Sequence, residues 1–160
     1  MKTLTTLLGA AVLTSAFAST AFAASPDVYV VNFRNTQDVK SQQLDNQLSS
    51  AMAIAGVNAE EVVIDTSTAA KWEKGAHEAF DRDIVPVFNK WVGLPGFAAV
   101  VDAKTKRVIG CVTPSLDANR MAESIRQMAS RAAGSAYMSR ASINNATRCP
   151  AAHNVDPLAK

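Results

Sequence analysis

The chain has 160 residues, with sixteen Lys plus Arg against fourteen Asp plus Glu and a formal net charge of +2. Apolar residues make up 48% and charged residues 19%, which excludes intrinsic disorder and fits one ordinary domain. A near-neutral balance without a basic run excludes nucleic acid as the main partner. Two cysteines are too few for a disulfide scaffold or a four-cysteine zinc site.

In chain order, the first segment reads as an export signal. Met1-Lys2 supplies one positive charge, Leu4 to Phe17 is apolar or small apart from four hydroxyl residues, and Ala21-Phe22-Ala23 offers small residues where a signal peptidase reads. Cleavage is expected after Ala23, giving a signal peptide over 1–23 that is bacterial in character and a periplasmic mature chain. The apolar run is too short for a transmembrane anchor, which needs about 20 apolar residues. No second run follows, so no stable membrane insertion is expected after cleavage. The mature chain has 137 residues and a charge of +1, divided into a domain over 24–134 and a helical or irregular tail over 135–160.

The domain reads as alternating strands and helices. Val28 to Phe33 is β-branched and aromatic with little alternation, as in a strand buried on both faces. From Asp38 to Ala55 the apolar positions Leu44, Leu48, Ala51, Met52 and Ala55 form one helical stripe, which Gly56 stops. Asn35 or Thr36 is the expected cap of that helix. Glu61 to Asp65 reads as a second buried strand, and Thr66, Ser67 and Thr68 offer caps for a second helix. Trp72, Ala76, Phe80 and Ile84 recur every fourth residue, predicting that this helix runs to about Val85, with Trp72 a core or subunit-contact residue first and a binding platform second. Pro86 fits a kink or the first turn of a short helix carrying Phe88 and Trp91.

Gly93-Leu94-Pro95-Gly96 leads into Phe97 to Val101, a polar turn over 102–106, and Arg107 to Val112. This pattern predicts an antiparallel hairpin. If Val101 faces Val108, Cys111 lies opposite about Ala98. Leu116, Met121 (or Ala122), Ile125, Met128 and Ala129 then mark the inward face of a third amphipathic helix, closed by Gly134.

The order β-α-β-α-β-β-α, with Gly93-Leu94-Pro95 just before the hairpin, resembles the thioredoxin superfamily. The resemblance covers roughly Val28 to Ala132. It implies an α/β fold with a mixed central sheet and, here, a C-terminal extension. It also implies a cis Leu94–Pro95 peptide beside a substrate groove formed with Gly93. The family's oxidoreductases carry Cys-x-x-Cys, or one cysteine, where the first strand meets the first helix, because a helix N-terminus lowers the thiol pKa. That junction here is Phe33-Arg34-Asn35-Thr36-Gln37-Asp38-Val39, without a thiol. The family's dithiol mechanism therefore has no residues at its usual place, and no cofactor is implied.

Cys111 and Cys149 permit two readings. They form a structural disulfide that ties the tail to the domain and lays it near the vacant groove, as two lone cysteines in an exported domain commonly do. Alternatively, Cys111 is a displaced redox thiol with Cys149 as its resolving partner, and the protein is a thiol-disulfide oxidoreductase. His77 and His153 lack metal-ligand spacing, so no metal site is expected. Glu60-Glu61 and Asp81-Arg82-Asp83 read as solvated faces. Phe88 and Trp91 are the expected contact surface if the protein joins an envelope complex. The stretch Phe88 to Asp102 is also similar to small exported proteins of bacterial conjugative-transfer systems. The expectation is a redox-inactive binding or assembly module whose partner is another envelope protein.

Overall fold

The computed structural model describes residues 25–134 and 147–152. The expected signal over 1–23, and the tail positions Tyr137, Met138, Ile143 and His153, lie outside the described residues. Among those described, no helix is long and apolar enough to cross a membrane.

The chain is an α/β protein with a four-stranded mixed sheet and helices on both faces. Strands β1 (Val28–Arg34), β2 (Ala59–Asp65), β3 (Phe97–Asp102) and β4 (Val108–Val112) lie in the order β2-β1-β3-β4. β1 pairs parallel to β2 and antiparallel to β3, and β3 pairs antiparallel to β4. The two central strands are nearly continuous apolar runs because both of their faces are covered, whereas β2, expected to be buried, is an edge strand with Glu61 and Val63 exposed.

Helices α1 (Val39–Ala55) and α4 (Ala118–Ala132) cover one face. There Leu44, Leu48, Val30, Val100, Met121 and Ile125 form one core. Helices α2 (Ala69–Asp81) and α3 (Val85–Trp91) cover the other, packing around Phe33, Ile64, Trp91 and Phe97. Arg126 of α4 donates from Nε and Nη2 to the carbonyls of Ala55 and Ile54, satisfying orphan acceptors at the C-terminus of α1.

Several expectations need correction. Asp38, not Asn35 or Thr36, caps α1, its carboxylate accepting from Ser41 N at 2.7 Å. α2 stops at Asp81; Asp83 has φ 55°, and α3 starts separately with Pro86 in its first turn. The stripe on α2 is also displaced. Gly75 and Ala79 face the sheet, while Trp72 is 46% and Phe80 74% exposed. A Cβ on Gly75 would sit 3.4 Å from Ile64 Cα, so helix and strand approach closely over small residues and the aromatics fall to the side.

Phe88 and Trp91 are not a contact surface. They are 5% and 1% exposed. Trp91 packs edge-on to Phe33 and Phe97, and Phe88 edge-on to Trp72. Their place on α3 turns them into the core because this short helix has to cover the C-terminal half of β1.

The hairpin register differs by one residue. Val101 does face Val108, but a bulge at that point brings Cys111 opposite Ala99 instead of Ala98. A one-residue shift moves a side chain to the other face of a sheet. Cys111 therefore joins the core under α2 and α3, while Gly110 turns toward Met128 of α4.

Candidate functional site

The β1–α1 junction is closed by its own hydrogen bonds. Asn35 Oδ1 accepts from Gln37 N at 2.9 Å, and Asn35 N donates to Ser41 Oγ at 3.1 Å. Thr36 N donates to Ser67 Oγ at 2.8 Å, which ties the turn to the end of β2. Ser41 is fully buried and spends its hydroxyl on Asp38 Oδ2. The side chains of Asn35, Thr36, Asp38 and Ser41 thus serve the turn and the cap.

Beside the junction lies the Gly93–Gly96 loop. The Leu94–Pro95 peptide is trans, correcting the expected cis bond: no cis peptide occurs among the described residues. The chain reverses instead through two glycines, each with φ 88°. Leu94 N donates to Trp91 O at 2.9 Å, and Gly96 N donates to Phe33 O at 2.8 Å. The second bond fixes the loop against the end of β1 and starts the pairing of β3. It also brings Gly96 so close to α1 that a Cβ there would lie 2.7 Å from Lys40 Cβ.

These elements surround an open cleft of about 570 Å³. Lys40 and Gln43 of α1, Leu94 and Pro95 of the loop, and Ser115 line it, and Pro150 of the tail forms a further wall. The Ser115 hydroxyl lies 2.6 Å from that of Thr113. The walls are mainly apolar, with a few polar tips at the rim, a surface suited to holding a chain segment. Leu94 and Pro95 thus line a groove while Gly93 does not, and their peptide geometry differs from expectation.

Cys111 and Cys149 are joined in a disulfide, with S–S 2.05 Å and Cα–Cα 4.8 Å. Cys111 is 0% exposed. The next residue, Pro150, accepts a hydrogen bond from Trp91 Nε1 at 3.2 Å. The sequence placed both cysteines near the groove, but it held no sign of the indole contact.

A polar cluster that sequence reading missed locks α1 to the sheet. Asn32, 1% exposed, donates both amide hydrogens, to Asp45 Oδ1 at 2.9 Å and Glu61 Oε1 at 3.0 Å. Arg34 pairs with Asp45 at 3.2 Å, and Lys71 with Asp65 at 3.1 Å. Burial alone would raise the Asp65 pKa; hydrogen bonds from Ser67 and the Lys71 ammonium outweigh it and hold the carboxyl below its ordinary value. At the far end of β2, Arg82 bridges Glu60 (2.6 Å) and Glu78 (2.5 Å). Burial would lower its pKa, and the two carboxylates raise it. The acidic pairs read as solvated faces are therefore partly tied into the fold. An Asn in an apolar strand and an Asp on the polar side of a helix carry no sequence signal that they meet.

Among the described residues, no three His, Cys, Asp or Glu side chains are grouped to hold a metal. Comparison of the chain with protein-family models, with curated proteins and with solved structures finds no match in any of the three.

Proposed function

We propose that this is an exported, periplasmic protein of thioredoxin-like architecture that lacks dithiol redox activity and acts as a binding or assembly module. Its docking site is the cleft beside Pro95. Its partner is another envelope protein, in a secretion or conjugative-transfer system. One observation carries this reading: the cleft between α1 and Leu94-Pro95 is open, while the junction beside it is a hydrogen-bonded turn with no thiol. A site that keeps a binding wall and has no nucleophile suits recognition better than turnover. The oxidoreductase alternative is disfavoured by the burial of Cys111, since an attacking thiolate needs access.

A photoreactive residue at Gln43 in the full-length chain, expressed in the producing bacterium, tests the proposal. The expected result is one discrete adduct in the periplasmic fraction, with the signal cleaved. A probe at Lys104, in the hairpin turn at the opposite end of the sheet, should give none. Clear turnover in an insulin-reduction assay, or equal labelling from the two positions, would overturn the reading.

A further inference from the structure

A sheet presents hydrogen-bonding groups along both of its edges, and the two edges here differ. At β4 the segment Thr147–Ala152 forms a strap: Thr147 O lies 3.3 Å from where a Cβ on Gly110 would stand, and Cys149 is bonded to Cys111. β2, the other edge, pairs only with β1 among the described residues. Thr66 N donates to Arg34 O at 3.0 Å, so residue 66 points at β1. Strand alternation then turns the N–H and C=O of Glu61, Val63 and Asp65 to the open side.

A groove of about 390 Å³ runs along this edge. Glu61, Val63 and Asp65 form one side; Lys71, Lys74 and Glu78 of α2, with Arg82 just past its end, form the other. It shares no lining residue with the cleft beside Pro95. Most of its charges are already paired. Glu61 accepts from Asn32 Nδ2 at 3.0 Å, Asp65 pairs with Lys71 at 3.1 Å, and Arg82 bridges Glu78 and Glu60. Among the described residues, Lys74 is the groove's one charge with no such partner. Val62 and Ile64 pack under α2, so Glu61 and Val63 lie on the face of α1, where Val63 keeps 39% of its surface exposed.

We propose that β2 takes up an extended segment of a partner protein as a fifth, antiparallel strand. The segment's backbone pairs with the outward groups of Glu61, Val63 and Asp65, a span of about five residues. Its residue opposite Val63 is apolar. The next residue, which alternation turns to the face of α2, is acidic and meets Lys74. A second copy of this chain matches poorly, because pairing Val63 with its own counterpart sets Glu61 against Asp65 twice. Charged side chains on an edge strand discourage such self-pairing and leave the edge to a complementary partner. This surface is separate from the docking cleft and stands whether or not that reading holds.

The test uses the full-length chain, processed as its host processes it, and the synthetic peptide acetyl-Thr-Thr-Val-Glu-Val-Thr-Thr-amide. In this peptide both valines share one face and the glutamate takes the other. Amide hydrogen exchange and NMR shifts are followed as peptide is added. At saturation, exchange at Glu61 and Val63 should slow by about tenfold or more, while Leu94 and Gly96 keep their shifts. Lysine in place of the peptide's glutamate should weaken binding about fivefold, and Lys74→Glu should invert that preference. Val63→Pro removes an outward N–H and leaves the β1 ladder intact, so it should weaken binding about tenfold. Should that variant unfold, the Lys74→Glu inversion still decides. No slowing at millimolar peptide, equal binding of the two peptides, or binding unchanged in a Val63→Pro protein whose Val30 and Val31 amides stay protected would each overturn the proposal. So would shifts at Leu94 and Gly96 in place of Glu61, which assign the peptide to the cleft. Protection of Glu61 and Val63 that grows with protein concentration alone assigns the edge to a second copy and overturns it as well.

Discussion

Gly93 and Gly96 bracket the loop that builds the cleft, and both have φ 88°. Alanine at either position must adopt backbone that L-residues disfavour, at a cost of about 1–2 kcal/mol. The gain from restricting the unfolded chain is the same for both and cancels in the comparison. Their surroundings differ. No atom lies within 4 Å of a Cβ at Gly93, whereas at Gly96 it meets Lys40 Cβ at 2.7 Å and Asp38 Oδ2 at 3.1 Å. Relieving that overlap means moving the loop or the first turn of α1. The first puts the Gly96–Phe33 hydrogen bond at risk, worth about 1 kcal/mol net, and the second the Asp38 cap, worth about as much. Gly96→Ala should therefore lose about 2–3 kcal/mol and Gly93→Ala about 1–2 kcal/mol. Urea unfolding of the two variants and the parent, with equal m-values, measures the difference directly. Equal losses would refute the argument that close packing of the loop on α1 sets the position of the cleft.

Other expectations concern the polar cluster and the helix faces. Asn32→Asp replaces a double donor by a third carboxylate between Asp45 and Glu61, and should cost about 3–5 kcal/mol at pH 7. Burial and like charge raise the pKa of the new acid, so denaturation midpoints should recover as pH falls toward the ordinary carboxylate range; a loss independent of pH would contradict this. Asp65 has a depressed folded pKa, so its contribution is present above the unfolded value of 3.8 and vanishes as pH falls through the folded one. Asp65→Asn should destabilise by about 1–2 kcal/mol at pH 7 and leave a shallower acid limb in a pH-stability profile. Phe80→Ser should change stability by less than about 0.5 kcal/mol because the ring is exposed, whereas Ala79→Leu, facing the sheet, should cost about 1–3 kcal/mol. Thermal melts showing the reverse order would restore the inward aromatic stripe.

The sequence by itself determined the order of elements, the burial of β1, the inward faces of α1 and α4, and the absence of a thiol at the β1–α1 junction. These are local properties: strand and helix periods, β-branched runs, glycine stops and residue identity do not depend on distant contacts. It also narrowed the two cysteines to a staple or a redox pair near one groove.

Tertiary structure decided the rest. A single bulge at Val100/Val101 moved Cys111 to the α2–α3 face, and no residue in the hairpin announces that insertion. The inward face of α2 went to Gly75 and Ala79 because close approach to Ile64 favours small side chains over a hydrophobic stripe. The trans Leu94–Pro95 peptide follows from two glycines that turn the chain without a cis bond. The strap and its Trp91 contact join residues 59 positions apart. Contacts of that range depend on where whole elements pack, and packing is settled by the shapes of both partners, which a local pattern does not contain.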